Sequence, residues 1–142
     1  MKIQPYLFFN GRCEEAINFY RDALGAEVEM MMRFKDSPEG PQSCAEGMTP
    51  PPPDKVMHAS LRIGETSILA SDGECNGNAK FEGFSLALEC DDEEEAEKKF
   101  AAVSEGGQVI MPLTKTFFSP KFGMATDKFG ITWMVLVAVP VA

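Results

Sequence analysis

The spacing of apolar residues along this chain alternates between two periods, in an order that occurs twice. Residues 56–63 alternate between apolar and polar side chains, which is typical of a strand with one buried face. Residues 13–24 instead carry apolar side chains three and four positions apart, which predicts an amphipathic helix. A second helix is predicted from a capping aspartate at 91 or 92 to about residue 104.

The two helices belong to segments that repeat each other at an offset of 80 residues. The first segment contains Glu14-Glu15-Ala16, then Gly25 and Val28, and the second contains Glu94-Glu95-Ala96, then Gly106-Gly107 and Val109. Each segment follows a strand-like run and leads into another, and such internal repetition usually means a repeated structural unit. We therefore predict an α+β fold made of two tandem βαβββ modules.

Turn-forming residues set the module boundaries. Asp72-Gly73 ends a first module at residues 1–73, and a linker at 74–83 leads to a second module at 84–142. The first module contains a long loop at 36–54 with four consecutive prolines. Proline cannot continue a central strand, and a loop this long is usually functional or disordered. It is either a cover over a pocket or a mobile insertion.

Composition narrows the classes of partner. The 142 residues carry a formal net charge of −9 with a pI near 4.6, which argues against binding to nucleic acids and to anionic membrane surfaces. The N-terminus has no signal-peptide pattern, and no apolar run reaches the roughly 18 residues of a spanning helix. The four cysteines form no C-x-x-C pair and are expected to be free thiols. We expect a soluble, cytoplasmic protein. The net charge does not exclude a small anionic ligand, because a local arginine can oppose the overall negative field.

His58, the only histidine, is the first candidate for chemistry. By alternation it shares a strand face with Ser60 and Arg62, opposite an apolar face. It could act as a general base or a metal ligand, or could simply hydrogen-bond its neighbours or face solvent. Arg62 could clamp an anionic ligand, with a surface salt bridge as the alternative.

The second module offers its own candidates. Glu89 shares a predicted strand face with Ser85, so a carboxylate in a pocket could be a base or a ligand, unless the strand end leaves it in solvent. Aromatic side chains could line a pocket or pack in the core, namely Phe117, Phe118, Phe122 and Trp133.

Several of these segments resemble one family. Residues 5–9, 15–20 and 24–26 are similar to the opening of the PhnB-like branch of the vicinal oxygen chelate superfamily, which includes glyoxalase I, extradiol dioxygenases and bleomycin-resistance proteins. Later segments fit the same branch, at residues 56–59, 71–73, 106–107, 116–118, 122–123 and 127–134. The resemblance implies curved mixed sheets that cup a pocket, helices on their outer faces, and a homodimer.

The resemblance also implies a divalent metal held by His and Glu at the first and last strands of each module. Carried over one by one, those positions fall at Gln4 or Pro5, at Leu69 or Ser71, at Ser85, and at Met134. The usual ligands are not kept, so the cofactor stays open, with His58 and Glu89 as the remaining candidate metal ligands.

Two functions remain. The first is a binding protein whose ligand contacts are Ser60, Arg62, Ser85, Met134 and the four aromatic residues. The second is a metal-assisted lyase, isomerase or dioxygenase-type enzyme that uses His58 and Glu89 on a vicinal-oxygen or phosphonate-like substrate. Some relatives carry a name that suggests a ubiquinone methyltransferase, but this sequence has no Gly-rich strand-turn-helix motif for a nucleotide-like methyl donor.

Overall fold

A computed structural model describes residues 1–36, 52–73 and 79–138. The chain forms two compact units, Met1–Ala79 and Lys80–Ala142. Most of the predicted proline-rich loop and half of the predicted linker lie outside the described residues.

The first unit is one βαβββ module. Its elements are β1 (Tyr6–Phe8), α1 (Cys13–Leu24), β2 (Glu27–Arg33), a 3₁₀ turn (Phe34–Asp36), β3 (Val56–Ile63) and β4 (Thr66–Ser71). The four strands form a mixed sheet in the order β1-β4-β3-β2, in which β1 is parallel to β4 and the other pairs are antiparallel.

The second unit repeats this order. Its elements are β5 (Leu86–Cys90), α2 (Glu93–Ser104), β6 (Gln108–Thr114), β7 (Phe122–Thr126) and β8 (Thr132–Val137). Its sheet has the order β5-β8-β7-β6, again with one parallel pair, β5 with β8. The predicted α+β fold of two tandem βαβββ modules is therefore confirmed.

Each sheet packs its helix on one face. In the first unit α1 packs on β3, and the apolar stripe of the helix meets the buried side chains of the sheet, among them Leu7, Ala59, Leu61 and Ile68. In the second unit α2 packs on β7 and β8, whose buried residues include Ala125, Trp133 and Val135. We call the sheet face opposite the helix the open face of each unit.

A buried carboxylate joins three parts of the first unit. Asp72, only 1% exposed, follows β4, and its Oδ1 accepts hydrogen bonds from the backbone N–H groups of Gly11 and Cys13, both at 2.8 Å. Its Oδ2 accepts the N–H of Val56 at 2.7 Å. Since Arg12 gives α1 no side-chain cap, Asp72 satisfies donors at that helix end from a distant part of the chain.

One strand runs through a proline. β6 continues past Pro112 to Thr114. A missing N–H is tolerated there because β6 is an edge strand, and its pairing with β7 shifts register between Met111 and Thr114.

Both described helices have 12 residues, too few to cross a membrane.

Candidate functional site

The open face of the first sheet carries exposed aromatic side chains beside polar ones. Tyr6 on β1 pairs with Leu69 on β4, and Leu69 pairs with Ser60 on β3. Cross-strand partners point to the same face, so Tyr6, Phe8, Ser60 and His58 lie on one side of the sheet. Tyr6 is 38% exposed and Phe8 52%. Exposed apolar rings beside hydrogen-bonding groups are typical of a binding surface.

Tyr6 and His58 contact each other across β4. The hydroxyl of Tyr6 lies 2.9 Å from Nδ1 of His58, and the two ring centroids are 5.5 Å apart. The Phe8 ring continues this group, with its centroid 4.9 Å from that of Tyr6. A phenol bonded to Nδ1 orients the imidazole and leaves its Nε2 to meet a ligand, so the pair can hold or pass a proton.

Glu29 adds a carboxylate to the same face. It is the extra residue of a β-bulge, because Val28 pairs with Leu61 whereas Met30 pairs with Ser60. The Glu29 atom Oε1 accepts the hydroxyl of Ser67 at 2.6 Å and that of Ser60 at 3.0 Å. These bonds hold the pKa of the Glu29 carboxyl below its ordinary value, the Ser67 bond most strongly.

Two predicted ligand contacts are already engaged. Arg62 forms a salt bridge with Glu27 on β2, its partner in the register. The Ser60 hydroxyl is used by Glu29. Arg62 is thus committed to a neighbouring carboxylate, and Ser60 acts by positioning Glu29.

The second sheet separates the residues predicted for its pocket. Ala87 pairs with Met134, and Glu89 pairs with Leu136, so Glu89 and Met134 lie on the open face, and Ser85 directly precedes β5. Glu89 is exposed. Trp133 lies on the opposite, helix-covered face, where it is 3% exposed and its Nε1 donates to Oδ2 of Asp127 at 2.9 Å.

Three phenylalanines form a chain of edge-on contacts in the second unit. The Phe118 ring lies 5.2 Å from Phe117 and 5.0 Å from Phe122, measured between centroids. Phe117 is fully exposed, Phe118 partly exposed and Phe122 buried. These rings offer a second apolar surface, which starts in the segment before β7.

The positions at which the resemblance implies metal ligands do not fit a hard divalent cation. They hold amide, hydroxyl, thioether or apolar groups, namely Gln4 or Pro5, Leu69 or Ser71, Ser85, and Met134. Such a cation prefers carboxylates, and imidazole suits the transition metals. Among the described residues, no three His, Cys, Asp or Glu side chains gather as a metal site. The donor set therefore does not match the metal of the metal-dependent members.

Sequence reasoning missed Tyr6, Phe8 and Glu29. Strand alternation puts Tyr6 and Phe8 on one face and Leu7 on the other, which was a usable signal, and the structure exposes the two rings and buries Leu7. Glu29 gave no such signal, because a bulge is not visible in the pattern of one strand.

Comparison with known proteins places nearly the whole chain in one family. Residues 1–136 match the model of the family described as 3-demethylubiquinone-9 3-methyltransferase. The chain is 36% identical over 141 residues to Protein YjdN of Escherichia coli (strain K12), which covers 96% of this chain and 95% of that protein.

Solved structures share the fold over nearly the full length. Protein PA1353 from Pseudomonas aeruginosa is 42% identical, with a TM-score of 0.81 and coverage of 97% of this chain and 98% of that one. A putative 3-demethylubiquinone-9 3-methyltransferase, PhnB protein, from Bacillus cereus is 30% identical, with a TM-score of 0.78 and coverage of 97% and 100%.

A glyoxalase-related enzyme from Fulvimarina pelagi, 14% identical, shares the fold alone, with a TM-score of 0.62 and coverage of 100% and 93%. The resemblance stated from sequence is confirmed. The chain belongs to the PhnB-like, 3-demethylubiquinone-9 3-methyltransferase family of the vicinal oxygen chelate superfamily.

Proposed function

We propose that this protein binds a small organic molecule on the open face of its first sheet. The observation that carries the proposal is the group formed by Tyr6, Phe8 and His58, in which two exposed rings adjoin an oriented imidazole. The rings offer apolar contact area, and the imidazole can fix the orientation of the ligand. Ligand sites usually combine apolar lining with a few polar groups in this way.

The donor chemistry at the family's metal positions supports binding over metal-assisted catalysis. Thioether and hydroxyl groups in place of carboxylate and imidazole give a divalent ion little to bind. The proposal extends to the open face of the second sheet, where Ser85, Glu89, Phe122 and Met134 would contact a ligand, with Phe117 and Phe118 at its margin.

We also propose a cytoplasmic homodimer. Support comes from the resemblance and from the edge strands β2 and β6, which expose apolar side chains including Val28, Met31 and Ile110. Exposed apolar edges tend to be covered by a partner. Light scattering after size exclusion should give twice the chain mass of 15.6 kDa, and Ile110→Lys should lower it. A monomer mass for the unaltered protein would overturn this part.

The alternative function is enzymatic. The contact of Tyr6 with Nδ1 of His58 favours it, because an oriented imidazole is suited to general base catalysis. Proton abstraction would not need a metal. The methyl transfer in the family description finds no support in this chain, which lacks a Gly-rich motif for a nucleotide-like donor.

Thermal unfolding in the presence of a library of small aromatic compounds tests the binding proposal. A ligand that binds only the folded protein raises its melting temperature. We expect hits that stabilise the unaltered protein and Phe84→Ala, which removes an exposed ring outside the site, but not Tyr6→Ala or His58→Ala. Hits that stabilise all four proteins equally would overturn the site on the first sheet, and the absence of any hit would overturn the binding proposal as a whole.

Metal analysis separates the two functions. Untagged protein should contain no stoichiometric divalent metal by mass spectrometry, before or after incubation with nickel, zinc, manganese or iron. Near-stoichiometric metal that is lost in His58→Ala would replace the binding proposal with a metalloenzyme.

A further inference from the structure

The first sheet's open face has a carboxylate whose orientation is fixed from two other strands. Glu29 belongs to β2, while its two hydroxyl partners, Ser60 and Ser67, belong to β3 and β4. Both hydroxyls bind the same atom, Oε1. Within the described ranges the second atom, Oε2, accepts no hydrogen bond, so it can meet a ligand.

The carboxylate is ionised at neutral pH. The Ser67 and Ser60 hydroxyls, followed by the charges of Arg62 and Lys2, lower the pKa of Glu29. The strongest nearby cation, Arg62, is already in a salt bridge with Glu27. The negative charge of Glu29 therefore has no dedicated partner from the described part of the chain.

The aromatic group lies within reach of this charge. Tyr6, Leu69 and Ser60 are successive cross-strand partners, and neighbouring strands are about 4.8 Å apart, so Tyr6 lies about 10 Å from Ser60. A bicyclic ring spans most of that distance. The rings of Tyr6 and Phe8 also attract cations through their faces.

We propose that this face selects a protonated amine carried on a flat apolar group, with the ammonium at Oε2 of Glu29 and the ring against Tyr6 and Phe8. The inference rests on the proposed function and names its class of ligand. The net charge of −9 favours cations and disfavours anions at long range.

Three probes that share a naphthalene ring and differ in charge test the proposal by calorimetric titration. They are 2-naphthylmethylamine, which is cationic, 2-naphthalenemethanol, which is neutral, and 2-naphthoate, which is anionic. We expect the amine to bind about three- to tenfold more tightly than the alcohol, and the naphthoate more weakly than either. Added salt should reduce the difference.

Two variants separate the effect of the Glu29 carboxylate on amine binding from the effect of the protein's overall negative charge. Glu29→Gln keeps an oxygen for both serines and should bring the amine's affinity down to that of the alcohol, with the alcohol unchanged. Glu65→Gln removes the same charge from the exposed turn before β4 and should preserve the amine's advantage.

The outcomes distinguish the inference from the proposed function. If amine and alcohol bind equally, or if Glu65→Gln reduces the amine's advantage as much as Glu29→Gln does, the cation site is wrong and a binding face remains. If no probe binds and the wider aromatic library gives no hits, the binding function fails with it.

Discussion

The hydroxyl of Tyr6 lies 2.9 Å from Nδ1 of His58, although 52 residues and one intervening strand separate them. The contact exists because β1 inserts beside β4 in parallel, which places both side chains on one face. It joins the N-terminal strand of the module to its third strand through side chains alone.

Tyr6→Phe should remove the hydrogen bond at Nδ1 of His58 without unfolding the protein. The variant removes one exposed hydrogen bond, so we expect a loss of unfolding free energy of about 1 kcal/mol or less. The ¹⁵N shift of Nδ1 should move, because the phenol no longer bonds it. Since the chain has one histidine, the imidazole signals need no assignment. An unchanged Nδ1 shift would contradict the contact.

The order of the elements could be predicted from sequence because it depends on local patterns. Residues 56–63 alternate cleanly and form β3, and the 13–24 stripe forms α1. The repeat at an offset of 80 residues predicted equal modules, and both sheets have the same strand order.

The site could be predicted only in part, because it depends on neighbours across strands. The sequence placed His58, Ser60 and Arg62 on one face, but not the partners Tyr6, Glu29 and Glu27 that engage them. Trp133 and Met134 were both assigned to a pocket, although adjacent strand residues point to opposite faces. That alternation was available in the sequence, whereas the bulge at Glu29 was not.

Ser67→Ala should raise the pKa of Glu29 toward its ordinary value, and Ser60→Ala should raise it less. The hydroxyl bonds favour the ionised carboxylate, and the Ser67 bond is the larger effect. Carbon-13 titration of the Glu29 carboxyl measures the change. Thr66→Ala, a hydroxyl removed from the neighbouring position, is the matched control. Equal values in all three variants would show that the hydroxyls do not hold Glu29.

Asp72→Asn should destabilise the first unit strongly. An amide offers one acceptor oxygen where the carboxylate has two, so at least one of the three N–H groups, two of which are buried, loses its partner. We expect a cost of about 3 kcal/mol, measured by urea unfolding. Asp22→Asn, at an exposed helix position, should cost about 0.5 kcal/mol or less. Similar losses of unfolding free energy in the two variants would show that the hydrogen bonds of Asp72 do not hold the parts of the first unit together.

Cys90 should make stability depend on pH in the alkaline range. Burial, followed by the charge of Glu95, raises the pKa of its thiol to about 11, while the thiol of the unfolded chain ionises near 9. Between these values the unfolded chain has lost the proton and the folded protein has kept it, so the unfolding free energy falls as pH rises from 9 to 11 and is unaffected below 9.

The variant Cys90→Ala removes this contribution. The difference in unfolding free energy between the two proteins, measured by urea unfolding at each pH, separates the effect of Cys90 from the titration of lysines and tyrosines. The thiol should also resist alkylation at pH 8, because little thiolate is present. A constant difference across this range, or rapid alkylation of the folded protein, would show that Cys90 is not shielded.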